Sequence, residues 1–255
     1  MSDPATPQGR SPLLTFAVLL CAVLIVSSAA IVVRVAQADG VSSLAIATWR
    51  LGIATLILSA LIAAKPSARQ AIAAVPRRDL LLCLASGVFL AAHFASWISS
   101  LQFTSVASST ALVSTNPIWI ALGAWLVLRE RPGPWLLAGI ACAMLGSAFI
   151  FLADAQLVST SGASPMLGNS LAIVGSLTVC GYLLIGRRIR STLSLLPYIF
   201  LVYGAAAVTL LLSALLAGTT LSGYSPQAWL CLPLPGCRRS PGKKENCGAA
   251  PGWVS

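Results

Sequence analysis

Apolar runs of about twenty residues alternate with short polar links along most of the chain. The runs lie at about 13–35, 42–64, 80–101, 105–128, 134–153, 168–186 and 195–217. Each is near the ~20 residues that a helix needs to cross a hydrocarbon core of ~30 Å. The pattern predicts an all-α polytopic membrane protein, a helical bundle with about seven transmembrane helices. The Ser28-Ala29-Ala30 stretch is compatible with a signal-cleavage site. The first run continues through Val33, however, beyond the usual apolar core of a signal peptide, so it is read as a span.

Composition sharpens the class. Of the 255 residues, 57% are hydrophobic and 9% charged, against about 25% charged in soluble domains. The net charge is +10, but the basic residues fall between the apolar runs. They therefore read as topology signals, not as a nucleic-acid surface. Lys65, Arg69, Arg77 and Arg78 follow the second run, Arg129 and Arg131 the fourth, and Arg187, Arg188 and Arg190 the sixth. The links after the third and fifth runs carry no Lys or Arg. Basic links should face the cytoplasm, which places the N-terminus (residues 1–12) inside. The seven cysteines form no C-x-x-C spacing. No metal site, cofactor or disulfide is expected.

The fourth run, SVASSTALVSTNPIWIALGAWLVLRER, carries Asn116-Pro117 midway. Proline removes the hydrogen bond that would reach the carbonyl of Val113, so a helix kink is expected at Pro117. In lipid that carbonyl needs another partner. At about 100° per residue, Ser105, Ser108, Ser109, Leu112, Asn116, Trp119 and Gly123 share one arc of roughly a quarter turn. Such a stripe lines a cavity or packs helices through small residues. Packing suits the serines better, and a cavity role suits Asn116.

On the third run Ser86, Leu90, His93, Trp97 and Ser100 share a face. His93 is the only histidine. It is either a proton carrier or a neutral side chain bonded to a neighbouring helix. Arg50 lies roughly 13 Å into the second helix, where a guanidinium should face the bundle or water. It is either a counter-charge for an anionic solute or a structural tie. Arg34 lies nearer a helix end and reads as a snorkelling anchor. Gly139, Ala143 and Ser147 form a close-packing seam on the fifth run. The substrate-binding candidates are Arg50, His93, Trp97, Asn116 and Trp119. No nucleophile–base pair or phosphate loop is present, so an enzyme is not expected.

A shift of 154 residues places Leu58-Ser59-Ala60-Leu61 on Leu212-Ser213-Ala214-Leu215, Arg34 on Arg188 and Trp49 on Tyr203. Five spans is an odd number, so two such copies would have opposite orientation, as in secondary transporters. The organisation expected is a cytoplasmic segment at 1–12, a first repeat at 13–153, an incomplete second repeat with two spans at 154–230, and an irregular basic Pro/Gly/Cys tail at 231–255. Arg238, Arg239, Lys243 and Lys244 in the tail offend the positive-inside bias. That favours a frameshift or truncation near residue 230 over a natural basic tail.

TNPIWIALGAWLVLRERPGPWLLAGIACAMLGSAFI (115–150) resembles the end of an EamA repeat, with Asn116-Pro117, Leu128-Arg129-Glu130, Gly139 and Gly146 in the places of that pattern. Trp49-Arg50-Leu51 is similar to the start of the repeat's second helix. The resemblance, over about 13–230, is to the drug/metabolite transporter superfamily. It implies ten helices in two inverted EamA repeats, about seven of them here, and a bacterial inner-membrane location. It implies a permease that moves a small metabolite or drug-like solute by export or exchange, often with a coupling ion, and alternating access, with export, is the expected mode. On residues alone Glu130 reads as structural; the resemblance makes it a family-signature residue at the cytoplasmic helix end. Membrane lipid and a small-molecule substrate are the expected partners, with the coupling ion and a homo-oligomer left open. The alternative is a truncated, non-transporting membrane protein lacking half of the second repeat.

Overall fold

The computed structural model describes residues 12–157 and 164–224. The tail at 231–255 and the first eleven residues lie outside these. All regular structure among the described residues is helical: α1 (Pro12–Ala38), α2 (Ser43–Ala63), α3 (Pro66–Ala73), α4 (Arg77–Phe103), α5 (Val106–Val113), α6 (Asn116–Leu128), α7 (Pro134–Leu157), α8 (Pro165–Ile189) and α9 (Leu195–Leu216). The protein is an all-helical polytopic membrane protein. Helices α2, α4, α8 and α9 are each long and apolar enough to span, and Ser28–Ala38 of α1 and Pro134–Ile150 of α7 are shorter apolar stretches.

Helix starts follow local chemistry. Ser42 caps α2 by accepting from the Ala45 amide at 3.2 Å, and Ser105 caps α5 by accepting from Ser108 at 2.9 Å. Pro66, Pro134 and Pro165 open α3, α7 and α8, where a missing N–H costs nothing. The fourth apolar run is not one kinked helix. It is two, α5 and α6, parted at Ser114–Thr115. There the chain tightens to i→i−3 bonds, Thr115 N to Leu112 O at 3.2 Å and Ile118 N to Thr115 O at 3.0 Å. Pro117 thus sits in the first turn of α6, a position that accommodates its ring. Short α3, in the link between the second and third runs, was not anticipated; Pro66 is its signal.

Helix α4 is the centre. It packs most extensively on α8, then on α9, with α2, α1 and α5 around it, and α2 also packs on α9. The core holds Val33, Ile46, Ile98, Leu101, Ile189, Val202 and Leu210. Lipid tails are as apolar as these side chains, so close approach of backbones holds the helices together. At Gly87 of α4, an added Cβ would fall 2.7 Å from the Val202 carbonyl oxygen of α9. Only glycine admits that crossing.

Polar contacts sort the links to two ends of the bundle. Glu130 Oε2 lies 2.6 Å from Arg187 Nη2, joining the ends of α6 and α8. Thr192 Oγ1 donates to Asp79 Oδ2 at 3.4 Å, bringing the start of α4 to the same end. At the other end Arg34 Nη1 donates to Thr104 O at 3.0 Å, Thr104 Oγ1 donates to Asn169 Oδ1 at 2.9 Å, and Trp49 Nε1 donates to Leu221 O at 2.9 Å. Basic links therefore gather at one end and the neutral links at the other. Arg34 does not snorkel freely; it is half-buried and ties α1 to the α4–α5 junction.

Candidate functional site

Helix α8 is the backbone against which three of the five candidate residues are placed. Near its middle, Gly175 lacks a Cβ that would press to 3.2 Å from Ser96 Oγ and 3.4 Å from Trp97 Cβ. That close approach of α8 to α4 brings the Gly175 carbonyl to 2.8 Å from His93 Nδ1. A carbonyl only accepts, so Nδ1 carries a proton, and a neutral ring would keep its lone pair on Nε2. One turn on, Trp97 stacks parallel to His93, with centroids 6.1 Å apart and planes 7° apart. Phe94 meets both edge-on, at 5.3 and 6.3 Å. The Trp97 indole Nε1 is buried with no hydrogen-bond partner among the described residues. Buried donors normally have partners, so this one is an exception.

The α5–α6 break lies against the same part of α8. The carbonyl of Val113, deprived of its own-chain donor by Pro117, accepts from Ser176 Oγ at 3.3 Å. Ser176 Oγ is also 3.1 Å from Thr115 Oγ1. Thr115 donates to Leu112 O at 2.7 Å and accepts from Trp119 Nε1 at 3.1 Å. The Trp119 carbonyl accepts from Cys180 Sγ at 3.1 Å. A chain of hydroxyl, indole and thiol contacts thus runs from the break into α8. Asn116 opens α6, half-buried beside it.

The serine stripe of the fourth run divides at the break. Ser108 and Ser109 are buried, and Ser109 Oγ lies 2.6 Å from Ser100 Oγ of α4. That half is packing. Ser86, on the His93 face of α4, lies 3.1 Å from the Tyr198 hydroxyl and donates to Tyr182 O at 3.3 Å.

Arg50 stands elsewhere. It is half-buried on α2, near Tyr203 of α9. No hydrogen bond joins it to His93, Trp97, Asn116 or Trp119 among the described residues. Helix α2 packs on α9 and α4, whereas the His93–Trp119 group centres on α8. Glu130 lies at the end of the bundle, half-exposed and paired with Arg187. Arg129 before it adopts a left-handed conformation (φ 57°) that ends α6. Sequence reasoning missed Thr115, Ser176, Cys180 and Tyr203. The orphaned Val113 carbonyl called for a hydroxyl, but nothing in the pattern said which helix would bring it.

The family model of the EamA-like transporter family matches residues 13–152, more than half of the chain. No curated protein and no solved structure matches the chain. The matched stretch contains α1 to α6 and most of α7, with the helix break, the His93–Trp97 stack and the Glu130 helix end. The chain belongs to the EamA-like transporter family.

Proposed function

We propose that this membrane protein of a transporter family moves a small metabolite or drug-like solute across the inner membrane, by export, through alternating access. The carrying observation is the break between α5 and α6 beside the middle of α8, with Thr115, Ser176, Trp119, Trp97 and His93 around it. Discontinuous helices with unpaired backbone groups near the membrane midplane are the usual setting of secondary-transporter sites. His93, Trp97, Asn116 and Trp119 are the substrate-facing residues in this reading. The Trp97 N–H donates to an acceptor on the solute, and the His93 Nε2 lone pair takes a coupling proton or a solute donor. Arg50, across α4 on the α2–α9 side, supplies a counter-charge for an anionic group.

The same reading takes 13–153, which holds α1 to most of α7, and 154–230, which holds α8 and α9, as parts of two inverted repeats. The pairing of α2 with α9 supports it. Thr55 and Ser59 donate to the carbonyls four residues earlier, and so do Thr209 and Ser213, which fall on them under the 154-residue shift. The basic end of the bundle faces the cytoplasm, with the N-terminus on that side.

Proteoliposomes containing the purified protein test the reading over a panel of amino acids, organic acids and aromatic cations. At least one solute should move in the wild type. Trp97→Phe, which keeps the ring and loses the N–H, should weaken its apparent affinity. A wild-type protein that moves nothing in the panel, in either orientation, overturns the proposal.

A further inference from the structure

The end of the bundle opposite the basic links carries two charged side chains that the transport reading does not use. Arg34 and Asp39 lie where α1 ends. Both line a cavity of about 300 Å³ whose other walls are Ile31, Val35, Ala38 and Val106. A second cavity of about 210 Å³ shares Arg34 and Ala38 and adds Gln37 and Gln102. The two adjoin at Arg34 and Ala38 and are taken together as one cleft. It has a cation, an anion and two amides toward the helix end and an apolar wall toward the membrane interior.

The contacts already made leave this cleft with unmet bonding capacity. Arg34 gives one N–H to Thr104 O; a guanidinium has five, in a fork that matches oxyanions. Asp39 is exposed and forms no ion pair among the described residues. Gln37 Nε2 donates to Ile98 O at 2.7 Å and to Ser43 Oγ at 3.1 Å, which fixes the direction of its amide. The cleft therefore offers donors at Arg34 and asks for donors at Asp39. The complement is a head group bearing both an oxyanion and an N–H cation.

The apolar wall decides what carries that head group. Ile31 is 61% exposed, and Leu24, two turns back on the same face of α1, is also 61% exposed. They extend the wall away from the cleft along the membrane-facing side of the helix. A soluble zwitterion would leave this strip uncovered, and an acyl chain would lie along it. We propose that the cleft binds an ethanolamine phospholipid, with its phosphate on Arg34, its ammonium on Asp39 and one acyl chain along Ile31 and Leu24.

Native mass spectrometry of the full-length protein in detergent tests this by titration with ethanolamine, choline and glycerol phospholipids of one chain length, and with soluble phosphoethanolamine. The ethanolamine lipid should bind about tenfold more tightly than the other two, the worth of one charge-assisted hydrogen bond. Choline has no N–H, and glycerol has no cation. Asp39→Asn should abolish the preference while leaving helical content unchanged, because Asp39 is exposed. Arg34→Ala also releases Thr104, so Arg34→Lys is the informative variant; it keeps the charge, loses the fork and should weaken all three lipids. Equal binding of the three lipids overturns the proposal, as does an unchanged preference in Asp39→Asn. Competition by phosphoethanolamine at the lipid's own concentration assigns the cleft to a soluble solute and overturns the lipid.

Discussion

Ser176 Oγ on α8 lies 3.3 Å from the carbonyl oxygen of Val113, the group that Pro117 leaves without a donor from its own chain. The pair predicts a specific non-additivity. Ser176→Ala strands the carbonyl and should destabilise the protein by about 1–3 kcal/mol. In the double variant with Pro117→Ala, residue 117 regains an amide that can reach Val113. The double variant should lose less stability than Ser176→Ala alone. Thermal unfolding in micelles measures both, and additive losses would show that the two residues act independently.

Glu130 and Arg187 join the ends of α6 and α8 at 2.6 Å, with both side chains at least half exposed. Solvent screens such a pair, so its coupling energy should stay below about 1 kcal/mol. A double-mutant cycle with Glu130→Lys and Arg187→Glu should show the reversed pair recovering what each single change loses. Molar salt should erase the difference. A coupling of several kcal/mol would mean that the pair is shielded from water.

The crossing of α4 and α9 at Gly87 leaves no room for a side chain. Gly87→Leu should cost about 1–3 kcal/mol or more through forced separation of the helices. Gly139→Leu on α7 is the control, since no atom lies within 4 Å of a Cβ built there. In dilute detergent it should leave the melting temperature unchanged. Equal losses at the two sites would contradict the packing described.

Single cysteines in a cysteine-free background report which end faces which compartment. With the basic end cytoplasmic, Asp39→Cys should react with a membrane-impermeant maleimide in intact cells. Arg131→Cys should react only after permeabilisation. The opposite pattern would invert the proposed topology.

The sequence disclosed the apolar runs, the alternation of basic links and the need of Val113 for a new partner, because each follows from length, charge or a missing N–H. It did not disclose which helices pair. Helices α2, α7 and α9 have no apolar face set against a polar one, so their periodicity carries no facing information. The approach of α8 to α4 rests on Gly168, Gly175 and Gly181, which in sequence are three glycines among twenty. Arg34 read as a surface anchor because its distance from the helix end suits snorkelling; its bond to Thr104 depends on a helix junction seventy residues away. Arg50 was grouped with His93 because both are polar and intramembrane. The pairing of α2 with α9 places it instead beside Tyr203.

The dependence of α4 on α8 also has a consequence in time. Helix α4 ends at Phe103, and α8 does not begin until Pro165. At roughly 5–20 residues per second of synthesis, the largest contact surface of α4 waits about 3–12 s for its partner to leave the ribosome. Until then Ser86 and His93 face lipid or the insertion machinery without their bonds to the second part of the chain. The nascent protein therefore passes through a stage in which the span that is central to the finished bundle is its least protected one.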